Sequence, residues 1–426
     1  MTMTTTDYSS LFRVRTVTCF VTLEEDSYQL LDSDGQIHWA DSRMQDAVDL
    51  LRKVETSLVN SGYTVQTVRL ATNSFGSWLP TKSTGTSTPS HDISQIEKVL
   101  RALDQWLEEK EISFCSLGSA ESIYEVEEIC PLIVRTSSRF SCSANLTATD
   151  VARAKACGRA IRQIAYTTEP AAYMQDGLGN FRFAVALCCP PLIPFFPVAK
   201  APQQNGLTFA VGLENGSLAQ ELLKQCESIQ NVPTIFQQGM ADALLPIQEI
   251  CQKFESDNKI VYAGIDTSLN PSLDATGSVA AALESLKEVS SSWGGPGTLA
   301  VAAALTKSLQ SLPNIRRTGY CAIMLPVCED ARLAELTENN QLRLAELLSI
   351  SSVCGVGIDT VPLSGEVTED ALAALALDVA GLADRWQKPL SCRVFPLPGK
   401  TSGKLTTFDF PHMMNAVILP LAHEPK

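Results

Sequence analysis

One regularity constrains this chain more than any other. Short apolar runs rich in β-branched residues alternate, from one end to the other, with longer stretches whose apolar residues fall three and four apart. Strands that cross over helices to parallel neighbours produce this pattern. It predicts strands at Thr16–Leu23, Thr64–Ala71, Ser113–Leu117, Phe181–Cys188, Leu207–Gly212, Ile260–Asp266, Tyr320–Pro326, Ser352–Ile358 and Leu390–Phe395. Several are almost continuously apolar, as strands covered on both faces must be. Helices are predicted at Ser42–Asn60, Ile93–Glu109, Ala148–Tyr166, Leu218–Gln225, Thr234–Phe254, Ser278–Val289, Thr298–Ser311, Ala331–Leu348 and Thr368–Gln387. Thr149–Asp150 and Thr368, the latter followed by Glu369 and Asp370, are suited to capping two of them. Leu79–His91, rich in Ser, Thr, Pro and Gly, reads as a mobile loop at about 79–91. Residues 1–12 read as a flexible N-terminal segment and 13–426 as a single α/β domain.

Charge and composition remove whole classes of function. The formal net charge is -14 and no Lys/Arg-rich stretch offsets it, which argues against nucleic acid. No apolar stretch reaches the roughly 20 residues a membrane span requires, and Phe183–Ala199 is broken by Pro190, Pro191, Pro194 and Pro197. The first residues lack the basic-then-apolar pattern of a secretion signal, so a cytoplasmic location is expected. Thirteen cysteines, an odd number sitting mostly inside apolar runs, read as buried thiols, not as a disulfide framework. With only four histidines (His38, His91, His412 and His423), the sequence argues against a zinc site of the usual kind.

In parallel α/β sheets, ligand-binding groups gather at the carboxyl ends of strands, so polar residues that end apolar runs carry the information. Here these are Arg69, Asn73, Glu214, Asp266, Glu329, Asp330 and Asp359. Asp266 and Asp359 share the frame Gly-Ile-Asp-Thr. As a pair they are expected to do acid/base work or to hold a divalent cation, Mg²⁺ or Ca²⁺. The competing reading has each binding nearby backbone amides. Glu329 and Asp330 precede a helix, where complementing its dipole is the simpler role. Cys354, where a strand gives way to Gly355 and Gly357, is a candidate pocket thiol, with a buried inert thiol as the alternative. Gly294-Gly295-Pro296-Gly297-Thr298 runs into an Ala-rich helix and offers free amides to an anion, or else only a tight helix entry. Lys400 and Lys404, in Pro398-Gly399-Lys400-Thr401-Ser402-Gly403-Lys404, are a second anion candidate without Walker spacing. His412, beside Phe408-Asp409-Phe410-Pro411, reads first as a packed residue and second as an acid/base group.

Several ordered strings go further. They include Arg15-Thr16-Val17-Thr18, Val65 to Thr72, Pro194-Phe195-Phe196-Pro197, Gly295-Pro296-Gly297-Thr298-Leu299, Met324 to Asp330, Val353 to Pro362, Lys388-Pro389-Leu390 and Phe408-Asp409-Phe410-Pro411. Together they resemble, over nearly the whole chain, a widespread domain-of-unknown-function family often labelled "PFL family protein". The resemblance implies a closed ten-stranded α/β barrel like that of pyruvate formate-lyase, enclosing an inner finger loop. It also implies an ACT-type amino-acid-sensing protein as a genomic neighbour. No glycyl radical is implied, because Arg393-Val394 is followed by Phe395-Pro396-Leu397 with no radical glycine. Arg316-Arg317-Thr318-Gly319-Tyr320 resembles a radical string but lies mid-chain and reads as coincidence. The Leu79–His91 loop and the Cys188-Cys189 pair depart from the simplest bacterial versions. The expectation is a non-radical enzyme acting on a small anionic metabolite. Asp266, Asp359 and Cys354 would serve chemistry, and Arg69, Asn73, Gly295, Gly297, Thr298, Lys400 and Lys404 would serve binding. A non-catalytic metabolite-binding or regulatory protein on the same fold is the alternative, and a homo-oligomer is left open.

Overall fold

The computed structural model describes residues 8–30, 35–82, 90–168, 171–203, 206–258, 260–289 and 293–421. Nine strands form one sheet: β1 (Arg13–Val21), β2 (Val68–Thr72), β3 (Cys115–Ala120), β4 (Phe140–Asn145), β5 (Phe183–Leu187), β6 (Thr208–Glu214), β7 (Val261–Asp266), β8 (Val356–Ser364) and β9 (Leu390–Leu397). Their spatial order is β7-β6-β1-β2-β3-β4-β5-β9-β8. Strands β1 to β5 run parallel to one another. The pairs β6–β7 and β8–β9 are also parallel, while the junctions β1–β6 and β5–β9 are antiparallel. The sheet therefore has two sets of strands pointing opposite ways. The first residues of β1–β5 and the last residues of β6–β9 lie along the same edge.

Alternation along each strand sorts side chains onto two faces. Cys19, Val21, Leu70, Phe209 and Val211 join the main apolar core. Their neighbours Phe20, Ala71 and Ala210 join a separate cluster with Ala199 and Ala201. The main core is completed by α1 (Arg43–Asn60), α2 (Ile93–Glu109), α3 (Cys130–Thr136), α4 (Val151–Ala165), α5 (Gly216–Lys224), α6 (Gln237–Asn258), α7 (Val279–Glu284), α8 (Thr298–Leu309), α9 (Ala331–Glu338), α10 (Leu344–Ser351) and α11 (Glu369–Trp386). On the other face lies the segment between β5 and β6. Small or hydroxyl side chains there let its backbone approach. Thr18 Oγ1 donates to Pro194 O, Ser116 Oγ to Ala199 O, and Ala201 N to Thr72 O. Leu192 N donates to Lys200 O, closing a finger whose tip carries Phe195 and Phe196.

The sequence missed β4 and α3. Phe-Ser-Cys-Ser-Ala-Asn makes no apolar run and holds no β-branched residue, because Ser141 and Ser143 occupy one of its faces. The predicted helix Ala331–Leu348 is two helices, α9 and α10, parted at Asn340 with φ 56°. Ser352–Ile358 is not a central strand. Residues 352–355 leave α10, and β8 begins at Val356 at one end of the sheet order. Tyr320–Pro326 is not a regular strand either. It meets the sheet through single bridges, with Arg317 against Ile265, Ile323 against Leu269 and Pro326 against Asp359. Positive φ at Gly319 and Cys321, and a proline without an N–H, interrupt its ladder. The named elements form a nine-stranded, mostly parallel sheet with helices, an α/β fold.

Of the expected N-terminal segment, Ser9–Leu11 is a short 3-10 helix and residues 1–7 lie outside the described residues. At the Leu79–His91 loop, Thr81–Lys82 pairs with Ser90–His91 in an antiparallel ribbon, and 83–89 lie outside the described residues. Among the described residues no helix is long and apolar enough to cross a membrane.

Candidate functional site

At the starts of β1, β2, β4 and β5, with the end of β6 and the first halves of β8 and β9, the structure encloses a cavity of about 750 Å³ lined by Arg69, Phe114, Ser141, Phe196, Glu214, Glu329, Asp359, Arg393 and His412 among others. Its charged wall is built by strand register. Arg13 pairs directly with Glu214 across the β1–β6 junction, so Arg13 Nε lies 2.6 Å from Glu214 Oε1. Two residues on, Arg15 reaches Glu214 Oε2 at 2.7 Å with one Nη and Glu329 Oε2 at 3.2 Å with the other. Glu329 Oε1 takes Arg393 Nη2 at 3.0 Å, and Arg393 Nε donates to Asp359 Oδ1 at 2.5 Å. A bulge creates that last contact. Ile358 pairs with Cys392 and Val361 with Val394, so Asp359 and Thr360 together oppose Arg393 alone. Thr360 takes up the extra residue at φ 44°. Three arginines and three carboxylates thus form one continuous chain of ion pairs. Burial raises the Glu329 carboxyl, and Arg393 and Arg15 oppose the rise.

Arg69 stands outside that chain. Its guanidinium lies over the rings of Phe114 and Phe196, with Cζ 4.9 Å and 5.2 Å from their centroids. Its Nε donates to Thr67 Oγ1 at 2.9 Å. Among the described residues neither Nη has a hydrogen-bonding partner and no carboxylate pairs with it. The side chain is buried, at 9% exposure. Burial and then Arg15 bring its pKa down to about 9, with Glu329 opposing and Arg393 adding, which leaves it charged at neutral pH. Among the described residues Arg182 also lines the cavity without an ion pair, but it donates to the carbonyls of Val134 and Tyr173.

His412 faces the cavity from the chain that follows β9. The excursion 406–415 is pinched at its neck by Asn415 Oδ1, which accepts from Thr406 Oγ1 and Phe408 N. The imidazole lies 6.0 Å from the Phe114 ring, 6.2 Å from Phe181 in a stacked arrangement and 5.2 Å from Phe410. Burial, then Arg15 and Arg69, lower its pKa below the usual 6.5, so it is neutral at pH 7 and able to accept a proton.

The structure brings Arg69 and Asp359 to one cavity and leaves the other expected site residues elsewhere. Asp266 is fully buried outside the lining. Tyr320 N, Cys321 N, Ser268 N and Ser268 Oγ occupy its two oxygens. That is the amide-binding reading, and it explains Gly319: a side chain there would overlap the Asp266 carboxylate. Cys354 is buried against Ile323, whose N–H donates to its sulfur at 3.0 Å, and burial pushes its thiol up. Asn73 clamps Leu23, accepting from its N–H and donating to its carbonyl. At Gly297, φ is 99° and a side chain would overlap Glu288 O, so Gly295–Thr298 makes a tight helix entry. Thr298 is buried and also lies outside the cavity lining. Lys400 donates to Thr407 Oγ1 on the turn after β9, and Lys404 is exposed on the same turn.

Asp330 caps both α7 and α9, accepting from Val279, Ala280, Arg332 and Leu333 amides. Glu329, expected to serve the same dipole, instead turns into the cavity. Among the described residues no group of three or more His, Cys, Asp or Glu side chains is placed to hold a metal ion. The sequence did not single out Arg15 or Arg393 as site residues. Their available signal was an arginine in an otherwise apolar strand, in Arg13-Val14-Arg15 and Ser391-Cys392-Arg393.

Comparison with known proteins supplies relatives without an assigned activity. The profile of the family described as Uncharacterised ACR (DUF711) matches residues 8–409. The chain is 32% identical over 149 residues to a UPF0210 protein of Pyrobaculum arsenaticum, covering 34% of this chain and 32% of that protein. It is 27% identical over 237 residues to one of Pyrobaculum aerophilum, covering 52% and 50%. To one of Oleidesulfovibrio alaskensis it is 25% identical over 244 residues, covering 55% and 53%. The matched stretch spans between about a third and a half of these relatives' length.

Proposed function

This chain belongs to the uncharacterised DUF711 family, and from that premise we propose that it is a non-radical enzyme acting on a small anionic metabolite held in the arginine-lined cavity. Arg69 carries the reading: it is a buried, charged guanidinium packed against two aromatic rings, with no carboxylate partner among the described residues. Burying such a charge is costly unless a counter-charge arrives, and an anionic ligand supplies one. His412 shares the Phe114 ring with Arg69 and is neutral at pH 7, which suits it to take a proton from a ligand anchored there. Asp359, fixed by Arg393, lines the same cavity.

We propose also that the sheet closes into a ten-stranded barrel, the arrangement that the resemblance to pyruvate formate-lyase implies. Its support is residues 316–327, which exchange hydrogen bonds with both ends of the sheet order. Ile265 N donates to Arg316 O, Met324 N to Leu269 O and Val327 N to Asp359 O.

The test is turnover of a metabolite pool followed by mass spectrometry, with wild type, Arg69→Met and His412→Gln compared. An enzyme of this kind loses turnover in both variants. Its wild-type rate also rises with pH through a midpoint below about 6.5. Binding that needs Arg69, with no turnover at any pH, would assign the cavity to a metabolite sensor instead.

A further inference from the structure

We propose that the ligand of this cavity is a monocarboxylate with a flat apolar body, and not a phosphate ester or a dicarboxylate; the proposal rests on the anion-binding reading of Arg69 above. The first argument is geometric. The guanidinium lies over two aromatic rings, with Cζ 4.9 Å from the Phe114 centroid and 5.2 Å from the Phe196 centroid, and Nε is spent on Thr67. The donors left to a ligand are those on the edge that carries the two Nη atoms. A planar carboxylate matches that two-pronged edge with both of its oxygens. A phosphate has a third oxygen out of plane, and the phenyl rings offer it no donor.

The second argument is charge. Glu214, Glu329 and Asp359 line the same cavity, and Arg13, Arg15 and Arg393 already pair with them. Arg139, also on the lining, pairs with Asp104. Of the lining arginines, Arg69 and Arg182 are left without a carboxylate among the described residues. Because the Nη atoms of Arg182 donate to the carbonyls of Tyr173 and Val134, Arg69 alone keeps both Nη atoms free to meet a negative charge. A second charge on the ligand would sit among three carboxylates whose cations are engaged.

The third argument is the wall itself. Phe140, Phe181, Phe195 and Phe410 line the cavity and suit a ring better than a polar chain. Ser141 also lines it, and its buried hydroxyl has no hydrogen-bond partner among the described residues. Ser141 lies two strands from Arg69, β4 against β2, about 10 Å across the sheet. A ring with a carboxylate at one end and a hydroxyl or carbonyl at the other spans that interval.

Isothermal titration of the full chain with phenylacetate, 4-hydroxyphenylacetate, succinate and inorganic phosphate tests this. We expect the two aryl monocarboxylates to bind and succinate and phosphate to bind at least tenfold more weakly. Arg69→Met should weaken the aryl acids on the order of ten- to a hundredfold. Ser141→Ala should weaken 4-hydroxyphenylacetate and leave phenylacetate unchanged. Arg69→Lys keeps the charge without the fork and guards against a folding defect in Arg69→Met; it should bind phenylacetate more weakly than wild type. Succinate or phosphate binding better than the aryl acids, with loss in Arg69→Met, would overturn the monocarboxylate and leave the anion pocket standing. Binding of none of the four, or binding indifferent to Arg69, would overturn both.

Discussion

Arg393→Met is the sharpest probe of the ion-pair chain. The Arg393 side chain is 9% exposed, and its partners Glu329 and Asp359 are 8% and 12% exposed. Methionine keeps an apolar stem next to Phe181, over which the guanidinium now lies 5.0 Å from the ring centroid. The change therefore removes charge more than packing. Breaking a buried pair from one side costs about 3–5 kcal/mol, because the remaining charge stays buried without its counter-ion. Glu329 retains Arg15, so the penalty falls mainly on Asp359, and about 3 kcal/mol is the expected loss near neutral pH. The pH dependence gives the mechanism away. An unpaired buried carboxylate has its folded-state pKa raised above the unfolded value. Folding is then penalised at pH above both values, and the penalty fades as pH falls and the group takes up a proton. Glu329 is already raised by burial, so it adds to the same trend. Urea denaturation followed by tryptophan fluorescence should show a smaller gap between variant and wild type at about pH 5 than at about pH 7.5. Adding Asp359→Asn to the variant should recover much of the loss, since the two changes share one contact. A variant as stable as wild type at neutral pH, or one penalised more at low pH, would refute the reasoning.

Two further outcomes follow from local geometry. Gly319→Ala and Gly297→Ala each force a side chain into a positive-φ site, against Asp266 and Glu288 O respectively, and each should cost about 2–4 kcal/mol in urea denaturation. Only Gly319→Ala should also disturb phenylacetate binding in isothermal titration, because Tyr320 beside it lines the cavity and Gly297 does not. Brief alkylation of the native chain with iodoacetamide should modify Cys188, the exposed thiol among the described residues, well before Cys354. Cys354 labelled as fast in peptide mass spectrometry would return it to the list of pocket thiols.

Local pattern carried the fold a long way. Apolar runs placed β1, β2, β3, β5, β6, β7 and β9 to within a few residues, because burial on a sheet selects residue type position by position. The same logic failed where a strand face meets a cavity or a backbone in place of an apolar core. Ser141 and Ser143 hid β4 for that reason. The frame Gly-Ile-Asp-Thr looked identical at Asp266 and Asp359, yet one carboxylate is consumed by the Tyr320 and Cys321 amides and the other faces Arg393.

The sequence by itself therefore determined the alternation of strand and helix, the acidic surface, the buried thiols and membership of the family. Tertiary structure alone decided which charges are spent. Arg13 finds Glu214 across 201 residues and Arg15 finds Glu329 across 314. Arg69 is left without a carboxylate only because register and the β8 bulge give every neighbouring acid to another arginine. Secondary structure follows from a residue and its near neighbours. The ionic partner of a buried arginine depends on strand order and a one-residue bulge, and neither is written in the residues around it.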